Sequence, residues 1–311
     1  MSQLVSDAAT GSPDALPPLR IAVLGLGLIG GSAAIVWRQI GHHVVGWSRR
    51  QSTVESAVGR GIVDSGALSA AAAVEAADVV VLAPPVLAMR PLMREIAPAL
   101  RAGVVVTDVA STKAVPERWA AELLPTQAHW VGAHPMAGKE VSGLDHVDAT
   151  LFRGRTWVVV PPVGADRAAV DTVARLGREL GSRVIEMGAD AHDEAVANVS
   201  HLPFMASTAL AEAVIGSSRF EEWSIVAATG LRDLTRLASG DALMHRDICV
   251  TNRDRIAAAM DRFASVFALL AAQVRALPDP DHASGTDALS SLGATFDRAK
   301  ADRDQWLPNA R

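Results

Sequence analysis

From Arg20 onward the apolar residues fall into short unbroken runs that alternate with longer stretches where they recur at helical spacing. IAVLGLG is followed by LIGGSAAIVWRQIG, then by HHVVGWS and by a helical stretch from about Ser52. The same rhythm predicts strands at 78–83, 104–108, 129–133, 156–162 and 183–187, with helices over 86–100, 113–123 and 166–180. Strands this apolar must be covered on both faces, so the pattern predicts an α/β fold with a doubly wound, mostly parallel sheet.

Beyond Met187 the strand signal stops and the pattern is helical. In ADAHDEAVANVSHLPFMASTALAEAVIG, Asp190 stands where a helix cap belongs, with Asp193 one turn on, and apolar positions continue at helical spacing. Pro203 lacks the N–H that the carbonyl of Val199 would accept, which predicts a kink beside His201. The expected organisation is a loose tail over 1–18, a nucleotide-binding domain over 19–187 and an all-α domain over 188–311. RAKADRDQWLPNAR reads as a charged helix end followed by a tail.

Composition changes this picture little but excludes several classes of function. Of 311 residues, 50% are hydrophobic and 20% charged, the balance of a soluble globular protein. A net charge of -5 without a basic stripe argues against a nucleic-acid partner. Cys249 is the one cysteine and forms no internal disulfide, and the first residues lack the basic and apolar regions of a secretory leader, so a cytoplasmic location is expected. The apolar stretches are broken before reaching the roughly 20 residues of a membrane span, and no metal site is expected.

The first candidate chemistry is the loop Gly25-x-Gly27-x-x-Gly30, directly after the strand IAVL and opening a helix. In that context glycines serve a tight turn, backbone approach to a pyrophosphate and close helix packing, with Leu28 and Ile29 at the helix N-terminus. An ordinary glycine-rich turn is the competing reading. The next strand ends in GWSRRQST, where an NAD site usually carries a carboxylate for the ribose 2′-hydroxyl. Ser48, Arg49 and Arg50 would instead bind a 2′-phosphate through charge-assisted hydrogen bonds, favouring NADP, with NAD possible. Two solvated loop arginines are the bland alternative.

Three further stretches fall where open α/β sheets place their ligands. In TDVASTK, Ser111 follows a strand and begins a helix, so capping competes with chemistry there. In GAHPMAGKEVSG, His134 follows the strand HWVGA immediately, and Lys139 with Glu140 reads as a solvated pair. In GLRDLTRLA, Arg232 and Arg236 share one helix face, with Asp233 available to pair with one of them; a guanidinium there fits a carboxylate, and a surface ion-pair helix is the alternative.

Together, HPMAGKEVSG, TDVASTK, VSHLPFMASTAL and GLRDLTRLA behind GLGLIGG resemble the prephenate and arogenate dehydrogenases, from about Arg20 to beyond residue 255. GWSRRQST, DVASTK and HLPFM are most similar to the NADP-using arogenate branch. The resemblance implies an N-terminal Rossmann-type domain and oxidative decarboxylation of a cyclohexadienyl acid. The helical domain is apolar enough to bury a second copy, so a homodimer is expected, with an internal core as the alternative use of the same residues. The resemblance also implies His134 as acceptor of the ring hydroxyl proton, Ser111 beside it, Arg236 on a substrate carboxylate, and His201 in the substrate pocket; Arg232, on the helix face of Arg236, is a further substrate-binding candidate. Phe204 departs from the SHLPH of many prephenate-using members, which points toward arogenate or to a repacked pocket. The helical domain accounts for the remaining chain, so no added tyrosine-sensing module is expected. Another two-domain NADP dehydrogenase or imine reductase, and a non-catalytic NADP-binding sensor, are the competing functions.

Overall fold

The computed structural model describes residues 17–139, 141–282 and 287–307. Most of the expected leading tail, Glu140 and the expected closing tail lie outside the described residues. Packing divides the chain into one unit ending at Arg253 and a second beginning at Asp254. Residues 188–253 therefore pack as part of the sheet-containing unit.

In the first unit, β1 (Arg20–Leu24), β2 (His43–Trp47), β3 (Ser65–Gly66), β4 (Val79–Leu82), β5 (Val105–Asp108) and β6 (His129–Trp130) form a six-stranded sheet. Its order is β3-β2-β1-β4-β5-β6 and every pair is parallel. Helices α1 (Leu28–Gln39), α2 (Gln51–Gly59), α3 (Ala70–Val74), α4 (Val86–Ile96) and α5 (Ala114–Leu123) make the crossovers. Alternate residues of β1 and β4 serve two cores: Ile21, Val23, Val79 and Val81 pack with Trp37, whereas Ala22, Leu24, Val80 and Leu82 pack with Met89 and Met93. That is why these strands are continuously apolar. Each fully buried Val, Leu or Met contributes about 1.5–3 kcal/mol.

The strand expected over 129–133 is divided between two sheets. His129 and Trp130 close the parallel sheet; the Val131 N–H still bonds to Val106, and Gly132–Pro135 then forms β7 of a second sheet. There β7 runs antiparallel to β8 (Thr156–Val160), which pairs in parallel with β9 (Arg183–Glu186). His134 therefore lies within a strand, opposite Val158, rather than just after one. Pro135 is tolerated because β7 is an edge strand. Helix α6 (Arg167–Glu179) covers this sheet, and a Cβ on Gly177 would stand only 2.5 Å from the Trp157 ring.

Helices α7 (Ala189–Val196), α8 (Leu202–Val214), α9 (Phe220–Ser224), α10 (Thr229–Thr235) and α11 (Ala242–Thr251) complete the unit. Gly188, not Asp190, is the cap of α7, and no side chain bonds there. At the kink expected from Pro203 the helix carries a π-helical turn over Ala197–His201, just before the proline, and continues without a break into α8.

The second unit consists chiefly of α12 (Arg253–Arg275) and α13 (Asp287–Trp306), where Gln273 bonds to Ser291 and Thr295. By length and composition alone α12 is long and apolar enough to cross a membrane, its most apolar 18-residue window having a mean hydropathy of 1.3, a property that core helices of soluble proteins share. Phe263, Val266, Phe267 and Leu269 are exposed on it within the single chain.

Candidate active site

All strands of the main sheet end on one edge, so the ends of β2, β1, β4 and β5 stand in a row about 14 Å long at about 4.8 Å per step. At β1 the glycines have separate tasks. Gly25 has φ +117°, and a Cβ there would lie 2.6 Å from the Ala83 carbonyl; a Cβ on Gly30 would lie 2.1 Å from the Gly25 oxygen. Gly27 faces open space and caps α1 without any side-chain bond, leaving the first helical N–H groups, from Leu28, Ile29 and Gly30, for an anion.

A cleft of about 640 Å³ adjoins this turn, and its walls include Gly25, Gly27, Ser48, Arg49 and Arg50. Both arginines are exposed, and neither makes an ion pair among the described residues. The donor set fits a dinucleotide: uncapped N–H groups for the pyrophosphate, and a hydroxyl with two guanidinium groups where the ribose would end. His134, Ser111, His201 and Arg236 are not in its walls.

At the end of β5 the site continues through a buried ion pair. Asp108 and Lys113 are 0% and 1% exposed and bonded to each other; Lys113 also donates to the Ala133 carbonyl at 2.6 Å, and Asp108 accepts from the Ala133 N–H at 3.1 Å. Burial pushes the Asp108 carboxyl up and the Lys113 ammonium down, and the attraction between them opposes both shifts. The pair thus clamps β7 at the residue before His134.

His134 is 8% exposed, and its Nδ1 lies 2.9 Å from Nε2 of His192. Nδ1 of His192 lies 2.8 Å from the Asp193 carboxylate, which also accepts from the N–H groups of Lys113 at 2.7 Å and Ala114 at 2.9 Å. With His192 in its neutral form these contacts set the tautomers. The carboxylate only accepts, so His192 donates from Nδ1; its Nε2 then accepts from Nδ1–H of His134, and the lone pair of His134 stays on Nε2. Burial holds the His134 imidazole well below its usual range, aided by His192, Lys113 and His201, so it is neutral at pH 7. Burial raises the Asp193 carboxyl, but its hydrogen bonds from His192 and the two backbone groups outweigh this and lower it.

His201 is 4% exposed at the end of the π turn, where Asn252 approaches its Nδ1 at 3.4 Å and donates to the Asp193 carbonyl at 2.8 Å. Burial lowers its pKa to about 4 from an ordinary 6.5. A histidine with a depressed folded pKa is protonated first in the unfolded chain. It therefore stabilises the fold above pH 6.5, and that contribution is lost between pH 6.5 and about 4, by at most about 1.4 kcal/mol per unit. Urea midpoints followed across this window should fall less steeply for His201→Asn than for the parent; parallel slopes would dismiss the buried neutral form.

Ser111 is not the cap of α5, because that helix begins at Ala114 behind Lys113 and its first N–H groups bond to Asp193. The half-buried hydroxyl has no hydrogen-bond partner among the described residues and is available to a ligand. Arg232 is exposed, lies 3.5 Å from Asp233 and lines a separate hollow with Ile215 and Thr235. Arg236, also exposed, opens the 3-10 turn Arg236–Ser239, which is tied to α8 by the bond from the Ala238 N–H to Ser207. Lys139 pairs with Asp148 at 2.8 Å. His192, Asp193 and the ion pair are the site residues that sequence reasoning missed.

Residues 33–186 match the family description "Prephenate dehydrogenase, nucleotide-binding domain", and residues 188–282 match "Prephenate dehydrogenase, dimerization domain". The chain belongs to the prephenate dehydrogenase family. It is 32% identical to the prephenate dehydrogenase of Bacillus subtilis over 78% of its own length and 66% of that protein's. To the cyclohexadienyl dehydrogenase of Zymomonas mobilis it is 30% identical, over 78% and 84%. Among solved structures it is similar to Synechocystis arogenate dehydrogenase, with TM-score 0.79 and 28% identity over 92% of this chain and 99% of that one. It is also similar to the Aquifex aeolicus prephenate dehydrogenase in complex with hydroxyphenyl propionate and NAD+, with TM-score 0.84 and 27% identity over 94% and 99%. The α/β domain followed by helices is thus the architecture of this family.

Proposed function

We propose that the protein is an NADP-dependent dehydrogenase that oxidatively decarboxylates a cyclohexadienyl acid, with arogenate preferred to prephenate. The observation that carries this reading is the buried Asp193, His192 and His134 chain, which leaves a neutral imidazole with a free Nε2 on the strand beside the carboxyl edge of β5. A non-catalytic NADP sensor has no use for such an arrangement.

Bound NADP supplies the acceptor for the hydride leaving C4 of the substrate ring. Nε2 of His134 takes the proton of the C4 hydroxyl as that oxygen becomes a carbonyl, and Ser111 offers a hydrogen bond to the same oxygen. The positive charge gained by His134 spreads through Nδ1 toward His192 and is balanced by Asp193. Loss of the ring carboxylate as carbon dioxide returns its bonding pair to the ring, which becomes aromatic as the C4 carbonyl pair moves onto its oxygen, and that oxygen takes the proton back from His134 to give the phenol. Arg236 holds a substrate carboxylate, and His201, neutral through burial, lines the pocket without adding a second charge.

NADP is supported by Ser48, Arg49 and Arg50 on the cleft wall. Converting both arginines to alanine is expected to raise the Kd for NADP at least about tenfold and to change that for NAD about twofold or less, measured by fluorescence titration. Equal losses would remove the 2′-phosphate assignment. A homodimer is supported by the exposed apolar residues of α12. The test of the whole reading is reduced-nicotinamide absorbance on mixing the protein with NADP and either arogenate or prephenate. Binding of NADP without turnover of either acid would sink it.

A further inference from the structure

Phe204 lies one helical turn beyond His201 on α8, and its half-buried ring carries an imidazole from another helix. The ring of His245, on α11, stacks on Phe204 with centroids 3.4 Å apart and planes 7° from parallel. Nδ1 of His245 lies 2.9 Å from the carbonyl oxygen of Asp241, so Nδ1–H donates and, in the neutral ring, Nε2 keeps the lone pair. On a third side the backbone closes in, because a Cβ on Gly240 would come 2.7 Å from Cε1 of His245. One nitrogen is therefore satisfied and the ring's orientation is held, whereas Nε2 has no partner among the described residues. The ring is only half-buried, so that nitrogen is open to a ligand. His245 is also near enough to disfavour a charge on His201.

We propose that His245, seated on Phe204, is a specificity-determining residue: its Nε2 accepts an N–H from the ammonium group of an amino-acid side chain and has no hydrogen to offer a keto oxygen in the same place. The inference rests on the reading above, in which a cyclohexadienyl acid lies against His201, and deepens it by naming the group that distinguishes arogenate from prephenate. Phe204 acts through His245 as its platform. The aromatic side chain at position 204 thus places a free imidazole nitrogen one ring thickness away, on α11.

The test compares kcat/KM for arogenate and prephenate at saturating NADP, using the full-length protein and its His245→Leu and Phe204→Leu variants. A hydrogen bond to a charged group is at stake, so His245→Leu should lower kcat/KM for arogenate about tenfold, mainly through KM, while prephenate changes about twofold or less. Phe204→Leu should shift the ratio in the same direction. A loss shared equally by both substrates, or an unmoved ratio, would overturn the proposal while leaving the parent function intact. An unaltered enzyme idle with both acids would overturn the parent function and this inference together. If His245→Leu does not fold, judged by its circular dichroism, His245→Gln replaces it. Its amide N–H adds the missing donor, so prephenate turnover should rise relative to arogenate, and an unchanged ratio would refute the assignment.

Discussion

Replacing His134 by asparagine is expected to lower kcat by about 10²–10⁴-fold while changing the KM for the cyclohexadienyl acid little, measured by steady-state reduction of NADP. Asparagine is close in size and retains a polar group on β7, so the strand and its bond toward His192 have a substitute. What it lacks is a basic nitrogen. The acid limb of the pH profile provides a second reading of the same residue. Burial holds the His134 pKa well below 6.5, so kcat/KM in the parent should stay flat as pH falls through 6.5 instead of halving there. A rate that survives the substitution, or a KM that rises as much as kcat falls, would take the base role away from His134.

The largest loss of stability is expected from Lys113→Met. The ammonium is 1% exposed and Asp108 is 0% exposed, so removing the lysine leaves a carboxylate with no counter-charge and no water. Breaking such a pair from one side costs about 3–5 kcal/mol, a large share of a typical domain's stability. The Asp108→Leu, Lys113→Met double variant should recover most of that loss, because two apolar side chains leave no buried charge. Urea denaturation of the three proteins measures both steps. A single variant as stable as the parent would mean that the pair is already neutral in the fold, with one proton shared between them. Recovery of stability need not restore activity, since Ala133 would lose the two bonds that place the neighbouring histidine.

The glycine loop was legible in the sequence because its requirements are local: a strand before it, a helix after it, and glycines at positions where a Cβ meets backbone. That Ser48, Arg49 and Arg50 stand on the cleft wall was legible for the same reason, since they lie at the end of the next strand. His192 and Asp193 were not. In a helical run, Asp193 reads as a first-turn acid of its own helix, whereas its carboxylate caps α5, whose first N–H groups belong to Lys113 and Ala114. Only the fold brings those residues together. Ser111 was open to the opposite error, since it precedes a helix and has the right chemistry for a cap that another carboxylate already provides. The division at Val131 had no signal beyond Pro135, and either one long strand or two short ones satisfies the same apolar pattern. Nor does helical periodicity reveal that the imidazole of His245 stacks on Phe204, because their helices are joined through turns whose geometry the pattern leaves undefined.

Val131 alone separates the last strand of one sheet from the first strand of the other. Successive side chains of β7 point to opposite sides, Ala133 into the apolar core and His134 toward His192. Adding or deleting one residue between Trp130 and His134 would exchange those sides, delivering the imidazole into hydrocarbon and a methyl group to the substrate. For anyone shuffling segments among relatives or grafting loops onto this scaffold, the crossover is a fixed-length joint.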